Sequence, residues 1–281
     1  MSLKNAVAKT FFDFAYAIAY RPVTESGTSF PKGGTAPFRL LKPTLRQWYA
    51  DPLLATVNGK EYLFMEVFDR KKKKGMIGVS KITDHQEILK PRIILEEDFH
   101  LSFPLVFSYE DRYILMPECS ESKTLRLYAL DPSTLNPSLI RAIPVKERLV
   151  DTVVLKTGDH RLTLLACKED SENPKKTSLV CFSLDSPEDG EPVEIPLPSG
   201  YTSPSYLLRN GGPVIFDDNN QKIRILQEST ETEYGHNIIL CKIESEGRDY
   251  RETEISRIYL EDLPVRLRET RGQGVRLRQR H

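Results

Sequence analysis

The stretch YADPLLATVNGKEYLFME, residues 49–66, contains two short apolar segments joined by the turn Asn58-Gly59. Both segments are rich in β-branched and aromatic residues, and Asn-Gly between such segments is a strong signal for a β-hairpin. A second stretch, SFPLVFSYEDRYILMPE at residues 102–118, has the same order of features. Each has a residue followed by proline, an apolar strand, a charged or polar turn and an aromatic-rich strand. The pair predicts two copies of one hairpin.

The same unit recurs twice more along the chain. VDTVVLKTGDHRLTLLACKE spans residues 150–169, and TSPSYLLRNGGPVIFDD spans residues 202–218. The equivalent positions are Asp51, Phe103, Asp151 and Ser203, separated by 52, 48 and 52 residues. A period of about 50 residues with several strands per unit is typical of a β-propeller. Sustained helical periodicity is absent, so the chain is predicted to be all-β.

The length of 281 residues predicts five blades, with EYGHNIILCKIESEGRDYRETEI, residues 233–255, beginning the last. Alternating apolar residues at 12–20 predict an N-terminal strand that pairs into this last blade and closes the ring. The propeller is therefore predicted to occupy residues 1–265. The segment 266–281 contains six arginines and is expected to be disordered.

Composition narrows the possible partners and location. Lys plus Arg and Asp plus Glu each total 40, and this balance argues against nucleic acid as a partner. No apolar run approaches the ~20 residues of a transmembrane helix. The four cysteines form no C-x-x-C pair, so the sequence gives little support for a zinc site. Scattered cysteines in apolar strands are usually buried thiols, which predicts a reducing compartment. We therefore expect a cytoplasmic protein without metal or cofactor.

The propeller topology predicts where a site would form. The first strand of each blade lines the central channel, so the residues at the starts of these strands converge on one mouth. Asp51 and Asp151 are candidates to accept hydrogen bonds from sugar hydroxyls at this mouth. The candidate ligand-binding residues are Trp48, His100, Ser102, Glu118, Tyr234 and His236.

Structural alternatives stay open for each of these residues. Asp51-Pro52 also suits a turn before a strand, and His100 also suits a turn bonded to backbone groups. Trp48 either stacks on a sugar face or packs in the core. Glu118 and its equivalent Glu66 either bind ligand or form hydrogen bonds and ion pairs with backbone and arginine groups between the blades.

Three segments carry a resemblance to a known family. WYADPLLATVNGKEYLFMEVFD, KGMIGVS and FHLSFPLVFSYEDRYILMPE are similar to the N-terminal domain of glucosamine inositolphosphorylceramide transferases. The His-Leu-Ser-Tyr-Pro of that family appears here as His100-Leu101-Ser102-Phe103-Pro104. Its Arg-Pro-x-Gln then Tyr-Gly pattern is similar to Arg224-Ile225-Leu226-Gln227 with Tyr234-Gly235. The resemblance covers residues 12–262 and implies an accessory role beside a glycosyltransferase supplied in trans.

That domain in turn resembles the five-bladed propellers of glycoside hydrolase family 43. By position, the resemblance places the catalytic base at Asp51, a second aspartate at Phe103 and the general acid at Asp151. Since phenylalanine cannot ionise, one of the three acidic positions is lost. The sequence favours carbohydrate or glycoconjugate recognition. The alternatives are a glycosidase that uses Asp51 and Asp151, and a protein-interaction propeller.

Overall fold

The structure is a computed structural model that describes residues 15–21, 38–158, 161–173, 176–199, 201, 207–231, 234–259 and 277–280. These residues are mostly β-strands, which confirms the predicted all-β propeller class. The first two strands, β1 (Ala15–Tyr20) and β2 (Arg39–Leu41), pair in antiparallel fashion. The chain then forms four blades, each an antiparallel sheet.

Blades one and two follow the chain in simple order, each strand pairing with the next. Blade one consists of β3 (Gln47–Val57), β4 (Lys60–Asp69), β5 (Lys74–Lys81) and β6 (Arg92–Leu95). Blade two consists of β7 (Ser102–Tyr109), β8 (Arg112–Glu118), β9 (Thr124–Leu130) and β10 (Pro137–Pro144). The two hairpins quoted from the sequence are therefore the first two strands of each of these blades.

Blades three and four complete this set. Blade three consists of β11 (Leu149–Gly158), β12 (Arg161–Glu169), β13 (Thr177–Leu184) and β14 (Val193–Ile195). Blade four consists of β15 (Leu208–Asn210), β16 (Ile215–Phe216), β17 (Lys222–Glu228), β18 (Asn237–Ser245) and β19 (Arg251–Tyr259). The first strands β3, β7, β11 and β15 contact one another in turn, as expected around a propeller axis.

Blade four corrects the predicted placement of the last blade. The segment expected to begin a fifth blade supplies β18 and β19, which pair with β17 and with each other in blade four. The reason lies at Gly211 and Gly212, which the sequence suggested as a hairpin turn. Strands β15 and β16 both pair with β17, so they are two pieces of one interrupted first strand. The Gly211 N–H also donates to the Ile225 carbonyl in β17.

The N-terminal strand also pairs differently from the expectation. β1 lies between β2 and β20 (Leu277–Arg280), in a three-stranded sheet whose β1–β20 pairing is parallel. It contacts β3 of blade one and does not pair with β19. Four blades are thus formed by the described residues, and the predicted five are not confirmed. Phe12, Phe14 and most of the Arg-rich segment lie outside the described residues.

The largest hydrophobic core is shared among the blades. It includes Leu53 of blade one, Phe103 of blade two, Leu164 of blade three and Ile243 of blade four. Burial of these side chains supplies the main driving force for packing the sheets around one axis. The four cysteines are buried free thiols, as the sequence predicted.

Candidate functional site

Three β-bulges lie at the same level of blades one, two and three. Each contains one residue with positive φ: Asp51 at 47°, Phe103 at 43° and Asp151 at 48°. In each blade the pairing of the first two strands shifts across that residue. Left-handed backbone is uncommon outside glycine, so three occurrences at equivalent positions identify one repeated local structure. The sequence alignment of these positions is confirmed, whereas Ser203 lies outside the described residues.

Asp51 joins blade one to blade two. Its Oδ2 accepts a hydrogen bond of 3.2 Å from the backbone N–H of Phe103. The residue as a whole is half-buried. Asp51 therefore has a structural contact at the bulge and retains accessible surface for a ligand.

Phe103 points into the protein core. It is 4% exposed and belongs to the central hydrophobic cluster. Glu118, on the paired strand opposite Ser102, provides the nearby carboxylate instead. Its Oε2 accepts from the backbone N–H of Asp151 at 3.0 Å and so joins blade two to blade three. Ser102 itself is buried.

Asp151 is paired with an arginine that the sequence did not single out. Arg209 Nε lies 2.6 Å from Asp151 Oδ2. The same guanidinium has Nη2 at 3.5 Å from Glu118 Oε2 and at 3.8 Å from Glu169 Oε1. Each of these four side chains is 11% exposed. One cation thus faces three carboxylates in a largely buried setting.

Burial dominates the titration of Asp151. It raises the pKa of the Asp151 carboxyl well above its usual value, and the Arg209 guanidinium opposes this rise. The negative charges of Glu118 and Asp51 add to the rise in the pKa of Asp151. We call Asp51, His100, Glu118, Asp151 and Arg209 the bulge cluster.

Tyr234 borders the bulge cluster, and the backbone of the nearby His236 is bonded within blade four. Arg209 Nη1 donates to the Tyr234 hydroxyl at 2.7 Å, and the guanidinium carbon lies 5.8 Å from the centre of the Tyr234 ring. The backbone N–H of His236 donates to the Glu228 carbonyl at 2.7 Å. Arg209 therefore brings Tyr234 of blade four beside Asp151 of blade three.

His100 lies on the blade-one side of the bulge cluster. Its Nδ1 accepts from the backbone N–H of Gly75 at 3.0 Å, and its Nε2 lies 3.4 Å from Glu66 Oε1. Burial lowers the pKa of His100, while the charges of Glu118 and Asp51 oppose that change. The imidazole is thus neutral at pH 7, with the proton on Nε2.

Gly75 makes room for this arrangement, and we expect Gly75→Ala to destabilise the protein. A Cβ there would overlap the Leu101 carbonyl oxygen and lie 2.8 Å from Glu66 Oε1 and 2.9 Å from His100 Cε1. Overpacking of this kind costs about 1–3 kcal/mol in the free energy of unfolding, which urea titration measures. Gly212→Ala is the control, since its Cβ meets the Ile225 side chain at 3.3 Å. Equal losses in both variants would contradict the steric argument.

Trp48 lies in a row of aromatic rings. It stacks on Phe68 with centroids 4.5 Å apart and an interplanar angle of 9°, and it meets the edge of Tyr16 at 5.0 Å. The Phe68 ring lies 6.2 Å from the His100 ring. The half-buried indole therefore has packing contacts, and it reaches the bulge cluster through Phe68.

The sequence offered only a weak signal for Arg209 and Glu169. Arg209 is a charged residue within the apolar segment YLLRNGG, and Glu169 ends β12 as Glu118 ends β8. The described residues contain no group of three or more His, Cys, Asp or Glu side chains placed to hold a metal ion. Within the same ranges, no helix has the length and apolarity to span a bilayer.

A family of known proteins matches most of the chain. The family described as "Glucosamine inositolphosphorylceramide transferase 1, N-terminal" matches residues 43–273. Glucosamine inositolphosphorylceramide transferase 1 from Arabidopsis thaliana is 32% identical over 210 residues, which cover 73% of this chain and 27% of the relative. The chain therefore spans about a quarter of the length of that relative.

Solved structures show the same fold at low sequence identity. An exo-β-1,3-galactanase from Phanerochaete chrysosporium, crystallised with galactose, has a TM-score of 0.55 and 12% identity, covering 74% of this chain and 49% of that one. The Bacteroides ovatus protein Xyloglucan PUL GH43B has a TM-score of 0.54 and 12% identity, covering 87% of this chain and 55% of that one. These similarities relate the fold to the propellers of glycoside hydrolase family 43.

Proposed function

Because this chain belongs to the glucosamine inositolphosphorylceramide transferase 1 N-terminal family, we propose that its bulge cluster recognises a carbohydrate or glycoconjugate without cleaving it. We propose that this recognition assists a glycosyltransferase, supplied in trans, in glycan or glycolipid assembly in the cytoplasm. Support comes from the name of the family and from the glycosidase-like fold. Nucleic acid is not among the proposed partners.

The observation that carries this proposal is the environment of Phe103 and Asp151. Phe103 is buried in the core, so its position supplies no carboxylate to a ligand. Asp151 is paired with Arg209 at 2.6 Å, and a neighbouring guanidinium favours the ionised carboxylate. A general acid must approach the leaving oxygen of the glycan, and an Asp151 carboxyl that is already held by Arg209 is not free to do so, which favours binding over hydrolysis.

The accessible groups suit a sugar. Asp51 is half-buried and carries a carboxylate that can accept from hydroxyl donors, and the half-buried Tyr234 has an aromatic ring beside Arg209. We assign Trp48, His100, Ser102, Glu118 and His236 to the same ligand-binding region. Hydrogen bonds to charged groups are stronger than neutral ones, so Asp51 is the residue whose change tests the proposal most directly.

We further propose that the three-stranded sheet of β1, β2 and β20 takes the position of a fifth blade. It contacts β3, the first strand of blade one, which is where a closing blade would lie. On this proposal the propeller blades are formed by residues 1–265. The Arg-rich segment 266–281 follows them and contributes one strand, β20, which pairs with β1.

A glycosidase remains the second candidate because one observation favours it. Burial raises the pKa of Asp151, and a raised pKa is a property of general acids in glycosidases. In that case Asp151 would protonate the leaving oxygen and Asp51 would act as the base. The two functions differ in whether the bound glycan stays intact.

A glycan array with product analysis separates these functions. We expect the wild-type protein to bind a subset of glycans and leave them intact. Asp51→Asn retains an oxygen for the Phe103 N–H but removes the charge, and we expect it to weaken binding by about 10- to 100-fold. Asp131→Asn is the matched control, because Asp131 only caps its own turn through the N–H groups of Ser133 and Thr134.

Three results would contradict the recognition proposal. Release of shorter glycans by the wild type, lost in Asp51→Asn, would establish the glycosidase. Equal weakening in Asp51→Asn and Asp131→Asn would exclude a specific contact at Asp51. Binding to no glycan would leave a protein-interaction propeller as the remaining candidate.

A further inference from the structure

Blade four contains a buried polar network away from the bulge cluster. Arg224 in β17 is 3% exposed, and its Nη1 donates to Glu252 Oε1 at 2.8 Å and Oε2 at 3.0 Å. The Glu252 carboxylate also accepts from the hydroxyls of Tyr201 at 2.8 Å and Tyr250 at 2.7 Å. Each oxygen of the Glu252 carboxylate therefore accepts two hydrogen bonds, one from Arg224 Nη1 and one from a tyrosine hydroxyl.

Asn210 connects this network to blade three. Arg224 Nε donates to Asn210 Oδ1 at 2.8 Å. Arginine has donors only, so the Asn210 amide must present its oxygen to Arg224 and its NH₂ group to the opposite side. There Asn210 Nδ2 donates to the backbone carbonyls of Asp151 at 2.7 Å and Leu165 at 3.2 Å. Arg224 thus fixes which way the Asn210 amide points.

Asn210 follows Arg209 directly in the short strand β15. Successive residues of a strand point to opposite faces, which is why Asn210 meets the backbone of Asp151 while Arg209 meets its side chain. Gly211 and Gly212 interrupt the first strand of blade four, so β15 has only three residues. Its strand partner is β17. Two side-chain hydrogen bonds link β15 to blade three. The Thr177 hydroxyl donates to the Leu208 carbonyl, and the Asn210 amide, next to Arg209 in the chain, donates to the Asp151 carbonyl.

Apolar side chains in place of Asn210, Arg224 and Glu252 would not form a hydrogen bond between β15 and blade three. Replacing a buried ion pair by hydrophobic residues is often neutral or stabilising, so stability alone does not account for Arg224 and Glu252. A satisfied polar network does fix distances and orientations, because each donor accepts only a narrow geometry.

We infer that Arg224, Glu252 and Asn210 are positioning residues, which hold the Arg209 guanidinium against the Asp151 carboxylate through the bond from Asn210 to the Asp151 carbonyl. The inference concerns the geometry of the bulge cluster. It rests on the proposed function only in predicting that this geometry matters for glycan affinity.

The test is a ¹³C NMR titration of the Asp151 carboxyl, assigned by the signal that disappears in Asp151→Asn. The groups facing this carboxyl are Arg209, Glu118, Glu169 and Asp51. In Asn210→Ala we expect the titration midpoint to shift upward, because the guanidinium that opposes the effect of burial is no longer held in place. Asn210→Ser, whose shorter side chain lacks the Nδ2 donor, serves if the alanine variant does not fold.

The matched control is Asn237→Ala. Asn237 is also a buried asparagine of blade four, but its Nδ2 donates to Glu228 Oε2 and not to blade three. We expect its Asp151 midpoint to equal that of the wild type. An unchanged midpoint in a folded Asn210 variant, or equal shifts in the Asn210 and Asn237 variants, would overturn the inference.

Glycan affinity, measured on any glycan that the wild type binds, gives the functional result. We expect a loss of affinity in Asn210→Ala and none in Asn237→Ala. If the wild type binds no glycan, the proposed function fails while the NMR titration still decides the positioning role. If the midpoint shifts but affinity does not change, the positioning role stands and its importance for recognition is excluded.

Discussion

Glu252→Leu is expected to lower the free energy of unfolding by about 3–5 kcal/mol, the usual cost of breaking a buried ion pair by removing one partner. The substitution leaves the Arg224 guanidinium without a carboxylate in a site where it is 3% exposed. It also leaves the hydroxyls of Tyr201 and Tyr250 without the acceptor they now share. Each buried donor left without an acceptor adds a desolvation cost.

Urea unfolding at pH 7 measures this loss, with Glu254→Leu as the matched control. Glu254 lies in the same strand, β19, and is paired with Arg257 at 2.9 Å, but its side chain is 36% exposed. An exposed pair of this kind contributes at most about 1 kcal/mol. The double variant Arg224→Met with Glu252→Leu is expected to regain much of the lost stability, since no buried charge is left alone. Similar losses in Glu252→Leu and Glu254→Leu would show that the Arg224 pair is not effectively buried.

Phe103→Asp is expected to destabilise the protein by about 3–5 kcal/mol or more, because it removes a core aromatic ring and buries a polar group. Phe103 is 4% exposed and packs in the cluster shared by the four blades. Aspartate tolerates positive φ better than phenylalanine does, but that relief is worth only about 1 kcal/mol. The loss of packing therefore outweighs this relief, and we expect the variant to be less stable than the wild type.

This variant also tests whether an acidic residue at position 103 would restore a glycosidase site. We expect no glycan cleavage by Phe103→Asp, because the side chain at this position faces the core. Phe216→Asp is the stability control, since Phe216 is 58% exposed and its replacement is expected to change stability by about 0.5 kcal/mol or less. A stable Phe103→Asp variant that cleaves glycans would show that the side chain turns toward Asp51 and would contradict the binding proposal.

The repeat in the sequence identified structurally equivalent positions for a physical reason. Asp51, Phe103 and Asp151 lie at the same bulge in successive blades, so an alignment of the repeats placed them at one level without any distance information. Glu118 was found in the same way, because it ends the second strand of its blade. In a regular repeat, residues at equivalent positions of successive units lie at equivalent positions in the fold.

The last blade was misplaced because its first strand departs from the repeat. Gly211 and Gly212 divide that strand into β15 and β16, and the two pieces looked like a complete hairpin. The following segment was consequently assigned to a new blade. Local sequence signals distinguish a turn from an interrupted strand poorly, since both need glycine in a polar setting.

The sequence by itself determined the strand class, the hairpin unit and the equivalence of Asp51, Phe103 and Asp151, because strand periodicity and turns are local properties of the chain. Only the tertiary structure decided that Phe103 faces the core and that Arg209 pairs with Asp151. It also decided that Asn210 carries the Arg224 network to the next blade. These contacts join residues from different blades that do not occupy equivalent repeat positions, so they depend on how the sheets pack around the axis.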